Sequence, residues 1–236
     1  MRSALTFGLL ATLGPRRLRA AGPRASIVLW FEELAQLTAD LRAGRIADIR
    51  FQGGLEALYR RVDLQDLIGF VALDELGRTM QAPPRGAATR DLDLRAALPD
   101  GARFDARIFT CARGRAIVPH GHDNMCSGFV VLRGRWRGRH YDRVESRGDH
   151  HVIRPTIDRE LGPGELTTIS DHRDNVHWFE AGSDDAWIFN VHVGGYDPAS
   201  RRAPGRLYLD PDGERLAGGL IRAARMTPRA CHDKYG

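Results

Sequence analysis

Residues 119–125 read PHGHDNM and place two histidines, His120 and His122, one residue apart. In a strand, residues i and i+2 point to the same face, so this spacing sets two imidazoles side by side. Pro119 has no N–H to give to a ladder, which puts the pair at a strand end. Each imidazole needs a hydrogen-bond partner, and both take up protons near about pH 6.5. A divalent metal resolves the crowding by taking a lone pair from each; the alternative is two solvated residues of a polar loop. Two later histidines, His172 and His177, lie together in DHRDNVHWFEA.

The elements that must position these residues change character along the chain. From Ser26 to about Leu76 the pattern is helical. IVLWFEELAQLTADLRAG carries apolar residues at three- and four-residue spacing and stops at Gly44, and LEALYRRVDLQDLIGFV repeats the pattern. QAPPRGAATR, with two prolines among small residues, reads as a linker. After about Arg103 come short runs rich in Val, Ile, Phe, Trp and Thr, separated by Gly, Pro and Asp clusters. They are ARIFTCA, RAIVPHGH, GFVVLRG, RWRGRHYDRV, HVIRPTI, ELTTIS, NVHWFEA, DAWIFNVHV and GRLYLD. That spacing predicts antiparallel strands in a sandwich or barrel. The expected organisation is a helical region over 26–80, a β-barrel over 100–215 and a tail over 216–236, in which LAGGLIRAARM forms one short helix. Residues 1–25 read either as a disordered extension or as a signal segment.

A chain of 236 residues is long enough to bury a real core. Its net charge of +5 is carried almost wholly by arginine, since Lys234 is the one lysine, and the arginines are scattered among acidic residues. That is a solvated mixed surface rather than a nucleic-acid groove. Three cysteines, Cys111, Cys126 and Cys231, without a CxxC argue against a disulfide scaffold and fit a reducing compartment. No stretch approaches the roughly 18 apolar residues of a membrane span. MRSALTFGLLATLG has the positive start and apolar run of an export signal, but Arg16 and Arg17 follow that run instead of preceding it. The expectation is a cytoplasmic protein with no nucleic-acid or membrane partner, export through the N-terminal segment being the alternative. The oligomeric state is not set by these features.

Gly134 follows His122 across the strand GFVVLR, and a second glycine-led strand, PGELTTIS, precedes DHRDNVHWFEA. Over about residues 103–200 these segments resemble the two motifs of the cupin superfamily, whose β-barrel or jelly roll holds a metal in its interior. The resemblance implies a mainly β chain, a cupin barrel with a helical N-terminal extension. His177 opens HWFEA, which reads as a strand and aims its side chain inward, whereas His172 lies in the polar loop SDHRDN. His177 is expected to close the site and His172 to stay at the surface.

Most cupins supply a glutamate where this chain has Ser127. Three neutral imidazoles without a carboxylate leave a divalent metal uncompensated, and such a centre favours anionic ligands, a thiolate among them. Three-histidine cupins of this kind resemble the thiol dioxygenases. AIVPHGHDNM, VVLRGRWRGRHYD, DNVHWFEA and WIFNVHVGGYDP are similar, in order, to segments of the cysteamine and plant N-terminal-cysteine dioxygenases. The resemblance implies Fe(2+) on His120, His122 and His177, with Ni(2+) or Zn(2+) as alternatives. It further implies O2 and a small thiol or N-terminal cysteine as partners, with a sulfinic acid as product.

Two positions depart from that pattern. The family's aspartate before the YDP turn is Asn190 here, and Cys126 is one residue off the cross-linking cysteine's register, hence on the opposite face. His192 is either a hydrogen-bonding group that orients a ligand or a satisfied histidine at the barrel mouth. Tyr208, more than Tyr196, occupies the region where the resembling enzymes place a tyrosine, the other reading being a core tyrosine. Arg107, Arg113 and Arg115 are candidates for pairing with a substrate carboxylate or ordinary surface charges. The rival functions are a three-histidine ring- or diketone-cleaving dioxygenase and a non-enzymatic metal-containing binding cupin.

Overall fold

The computed structural model describes residues 25–95, 97–98, 100–200 and 205–236. The disordered or signal reading of the first residues lies outside this range, apart from Ala25. Four helices come first: α1 (Ala25–Arg42), α2 (Asp48–Tyr59), α3 (Leu64–Phe70) and α4 (Leu73–Thr79). In α1 the buried residues are Ile27, Trp30, Phe31, Leu34, Thr38 and Leu41, one stripe at helical spacing. Asp63 caps α3 by accepting the Asp66 N–H at 2.9 Å. Among the described residues no helix is long and apolar enough to cross a membrane.

Twelve strands follow among the described residues. They are β1 (Ala88–Asp91), β2 (Asp105–Cys111), β3 (Ala116–Asp123), β4 (Met125–Arg133), β5 (Trp136–Ser146), β6 (His150–Leu161), β7 (Leu166–Ile169), β8 (Val176–Ala181), β9 (Ala186–Gly194), β10 (Gly205–Tyr208), β11 (Glu214–Arg215) and β12 (Ile221–Ala224). They form two sheets, ordered β1-β2-β9-β4-β7 and β10-β3-β8-β5-β6-β12-β11. Every strand pair is antiparallel. The eight strands from β2 to β9 thus divide between the sheets as 2-9-4-7 and 3-8-5-6, the order of a jelly roll. The expected mainly β architecture with helices at the N-terminus is what the chain adopts.

Period-two alternation decides which residues enter the site. In β9, Phe189, Val191 and Val193 join the helical core with Trp30, Phe31 and Leu55, while Ala186 and Ile188 face the space between the sheets. In β4, Cys126, Val130 and Leu132 face the helices, and Phe129 and Val131 face inward. Gly128 lies on the helical side, where a Cβ would come within 2.6 Å of both Leu55 and Tyr59. Only glycine lets α2 approach the sheet this closely. Cys126 is fully buried on that outer face, away from the cavity, as its register predicts.

The N-terminal helices cover the outer face of the five-stranded sheet, which is too apolar to meet water. Two expectations need correction. The linker QAPPRGAATR already contains the start of β1, which adds an edge to β2. LAGGLIRAARM is not a helix: Gly218 and Gly219 have positive φ, and the run becomes a turn followed by β12, with Ile221 and Ala223 buried. The strands therefore continue past residue 215. The terminal helix instead is α5 (Pro228–Tyr235), with Pro228 in its first turn and Thr227 as N-cap.

β10 does more than flank β3. Beyond Tyr208 the chain bridges to the end of β12 through Leu209 and Arg225, so the longer sheet curls towards its own first strand. This closure buries Leu209, Ile221 and Ala223 with Tyr141, Ile153 and Val176. α5 lies against β3, where the Cys231 thiol donates to the Pro119 carbonyl at 3.4 Å.

Phe31 tests the coupling of helices to sheet. It is fully buried, 4.9 Å from the Phe70 ring and 6.3 Å from the Phe104 ring. Phe31→Ala is expected to cost about 3–5 kcal/mol, read as a lower urea midpoint for the β signal. An unchanged midpoint would show the helices to be detachable.

Candidate metal centre

β3 carries His120 and His122, and β8 carries His177 directly across from His120. Facing residues of an antiparallel pair share a side of the sheet, so all three imidazoles enter the space between the sheets. Their ligand atoms lie within 4.8 Å of one another. The ring centroids are 4.2 Å apart for His120–His177, 4.8 Å for His120–His122 and 5.2 Å for His122–His177. The structure brings His120, His122 and His177 together and leaves His172 outside the group. His172 is exposed, and its backbone N–H and Nδ1 both meet the Asp48 carboxylate.

Each Nδ1 is held by the backbone. His120 Nδ1 lies 2.7 Å from the Val118 carbonyl, His122 Nδ1 3.2 Å from Gly205, and His177 Nδ1 3.5 Å from Asn175. A carbonyl accepts only, so it fixes the Nδ1–H tautomer and leaves the Nε2 lone pair for a ligand. Burial and mutual repulsion hold His120 and His177 well below the usual imidazole range. Burial, then the Arg206 charge, push His122 down to about 3. Three neutral imidazoles with converging lone pairs fit a divalent metal bound through Nε2 of His120, His122 and His177.

The pair on β3 is itself braced. Gly121 turns outward, where a Cβ would stand 2.8 Å from the Asn175 Oδ1. Asn175 needs that space, because its Nδ2 donates to the His122 carbonyl at 2.8 Å and to the Ser170 carbonyl at 3.1 Å. At the β3–β4 turn Asn124 has φ 52°, a conformation asparagine tolerates, and its side chain reaches the Asp197 carbonyl.

A cavity of about 140 Å³ opens onto the three imidazoles. One side is apolar, with Phe109, Ile117, Met125 and Phe129; the other is polar, with Arg107, Ser127, Asn190, His192 and Arg206. Among the described residues no carboxylate lines it. Ser127 donates to the Val191 carbonyl and accepts from Asn190. Asn190 also donates to the Gly128 carbonyl at 2.9 Å. These acceptors fix the direction of its amide and leave Oδ1 without a hydrogen bond to any described residue.

The other candidates separate. Asn190 and His192 border the cavity. Tyr208 stands across from His120 on β10 with rings 6.0 Å apart, yet it faces a neighbouring hollow with His151, Arg225 and Met226 rather than this cavity. Tyr196 donates to Asp171. Of the three arginines, Arg113 pairs with Asp184 and Arg115 reaches the Gly236 carbonyl; only Arg107 reaches the cavity, and it is engaged by Asp91 at 2.8 Å.

Two residues went unnoticed in the sequence. His140 on β5 faces His177, with rings 6.1 Å apart. It is fully buried, neither nitrogen has a partner among the described residues, and burial pushes it down to about 3. Its inward alternation with Trp136 and Gly138 was the available signal. Arg206 sits across from His122 on β10 and has no ion-pair partner among the described residues. Nothing local marks it, because its place depends on β10 finding β3.

No protein-family model matches the chain, and no curated protein matches it. Solved structures do. A structure of KdgF from Halomonas sp. is 16% identical, with 45% of this chain and 77% of that one covered at a TM-score of 0.34. A structure of oxalate oxidase is 18% identical, with 53% of this chain and 56% of that one covered at a TM-score of 0.39; the match thus spans about half of that protein. A cupin superfamily protein from Desulfitobacterium hafniense DCB-2 is 11% identical, with 50% and 87% covered at 0.35. The jelly-roll assignment itself rests on the strand order.

His177→Ala is expected to abolish stoichiometric metal binding and His172→Ala to leave it intact, measured by elemental analysis after dialysis; the reverse would move the ligand to the loop. Acid should also weaken the metal-free fold. His122 and His140 resist protonation when folded but accept protons near about pH 6.5 when unfolded, so protons favour the unfolded chain. The thermal midpoint should hold above about pH 7 and fall progressively from about pH 6.5 towards 3.

Proposed function

We propose that the chain is a non-haem Fe(II) dioxygenase that adds both atoms of O2 to a small thiol, giving a sulfinic acid. The observation that carries this reading is the donor set: three buried, neutral imidazoles converge on a cavity that no carboxylate among the described residues lines. A divalent ion held there keeps its full charge, which favours an anionic ligand. Arg206, opposite His122 and without an acidic partner among the described residues, adds to the same preference. Bound iron would supply the acidity that ionises a thiol and open positions for thiolate and O2 together.

The chain's own residues supply the surroundings. The Val118, Gly205 and Asn175 carbonyls hold the imidazole tautomers. The cavity's two-sided lining suits the reactants: Phe109, Ile117 and Phe129 offer an apolar wall for a small apolar gas, and Ser127, Asn190 and Arg206 offer polar contacts to a substrate. Confining both in so small a space replaces a slow bimolecular encounter. Its volume of about 140 Å³ favours a small thiol.

The test is oxygen consumption by iron-loaded protein with cysteine, cysteamine, 3-mercaptopropionate and a Cys-initiated peptide. At least one should consume one O2 per thiol and gain two oxygen atoms by mass spectrometry, and chelation of the iron should stop it. If all four are inert with iron fully loaded, the thiol reading fails.

A further inference from the structure

A protic ligand that binds a metal as an anion must lose a proton inside this cavity, and few lining groups can take one. His120, His122 and His177 are excluded, with Nδ1 on a carbonyl and Nε2 turned to the metal position. Arg107 and Arg206 are already cations. Ser127 and Asn190 are neutral and hydrogen-bonded to each other and to the sheet. His192 remains. It lies on β9 two residues beyond Asn190, on the same face, and borders the cavity.

Its surroundings suit transfer. The side chain is 13% exposed, and Nε2 lies 3.2 Å from the Asp105 carboxylate, directly across on β2, whose side chain is 71% exposed. Nδ1 makes no hydrogen bond to any described residue. One nitrogen is thus free, and the other meets a carboxylate in contact with solvent. We propose that His192 accepts the proton of the incoming ligand and that Asp105 orients its ring and conducts the proton to water. The S–H or O–H bond breaks, its electron pair stays on the ligand, and the proton goes to Nδ1; the Nε2 proton then leaves through Asp105, so charge balances without a redox partner.

Among the described residues the charges facing His192 are Asp105 and Arg107 on β2, Asp91 on β1 and Arg206 on β10, with the neutral His122 on β3. Burial and Arg107 push its pKa down to about 4 against the pull of Asp105 and Asp91, so at neutral pH the ring is uncharged and passes a proton on rather than keeping it. The inference rests on the metal-centred reading of the cavity but not on the ligand being a thiol.

The test follows ligand association with the iron-loaded protein under anaerobic conditions, by stopped-flow absorbance, using cysteamine and 4-nitrocatechol, whose colour reports ionisation. At pH 7, His192→Gln should slow association about 100-fold and change equilibrium affinity less than about threefold, with added imidazole restoring the rate. Asp105→Asn, at an exposed position that should tolerate the change, should slow it about tenfold; it also serves as the test if position 192 does not tolerate glutamine. Unchanged rates in both variants, or slowing matched by lost affinity without rescue by imidazole, overturn the role. Binding of 4-nitrocatechol alone, with the same dependence on His192, supports the proton acceptor and sinks the thiol reading. Failure of both ligands to bind overturns both.

Discussion

The site depends on one piece of strand pairing, the antiparallel register that sets His177 of β8 opposite His120 of β3. Burying an imidazole is unfavourable unless its nitrogens are satisfied. Here one nitrogen of each ring is satisfied by a carbonyl fixed in the sheet, and the other is left facing its neighbours' lone pairs. Neutral rings cannot satisfy one another in that arrangement, since all three offer acceptors. A cation is the partner such a set lacks. His140 shows the contrast: it lies in the same row of strands with both nitrogens unpartnered, but its ligand atoms do not join the cluster.

The rest of the fold keeps β3 and β8 where the register needs them. α5 backs β3 on one side through Cys231 and the Pro119 carbonyl. β10 supplies the Gly205 carbonyl for His122 and completes the curled sheet. On the opposite sheet, β9 has two duties. Its odd residues pack into the helical core, and its even residues carry Asn190 and His192 to the cavity. Arg42, at the end of α1, donates to the Gly194 and Gly195 carbonyls, so helix placement also fixes the end of the strand that bears His192. A core substitution among the helices therefore acts on the same sheet that forms one wall of the site.

Much of this could be read along the chain wherever a local pattern was decisive. The β segments appeared as strands because Val, Ile and Phe recur between Gly, Pro and Asp breaks, and the HxH spacing placed both rings on one face. The errors fell where local chemistry was ambiguous. LAGGLIRAARM has helical composition, yet two glycines at positive φ break it and the edge of β6 recruits Ile221–Ala224 as a strand. Tertiary pairing outweighed propensity there.

What the sequence determined by itself was the inward or outward sense of strand residues: His120 and His122 together, Cys126 on the opposite face, His177 in and His172 in a surface loop. Those follow from the two-residue repeat, which needs no knowledge of partners. What only the tertiary structure decided was adjacency across the chain: His140 beside His177, Arg206 beside His122, and Asp105 beside His192. Such neighbours are set by register between strands far apart in sequence, which is fixed by the packing of both sheets at once, and no local pattern encodes it.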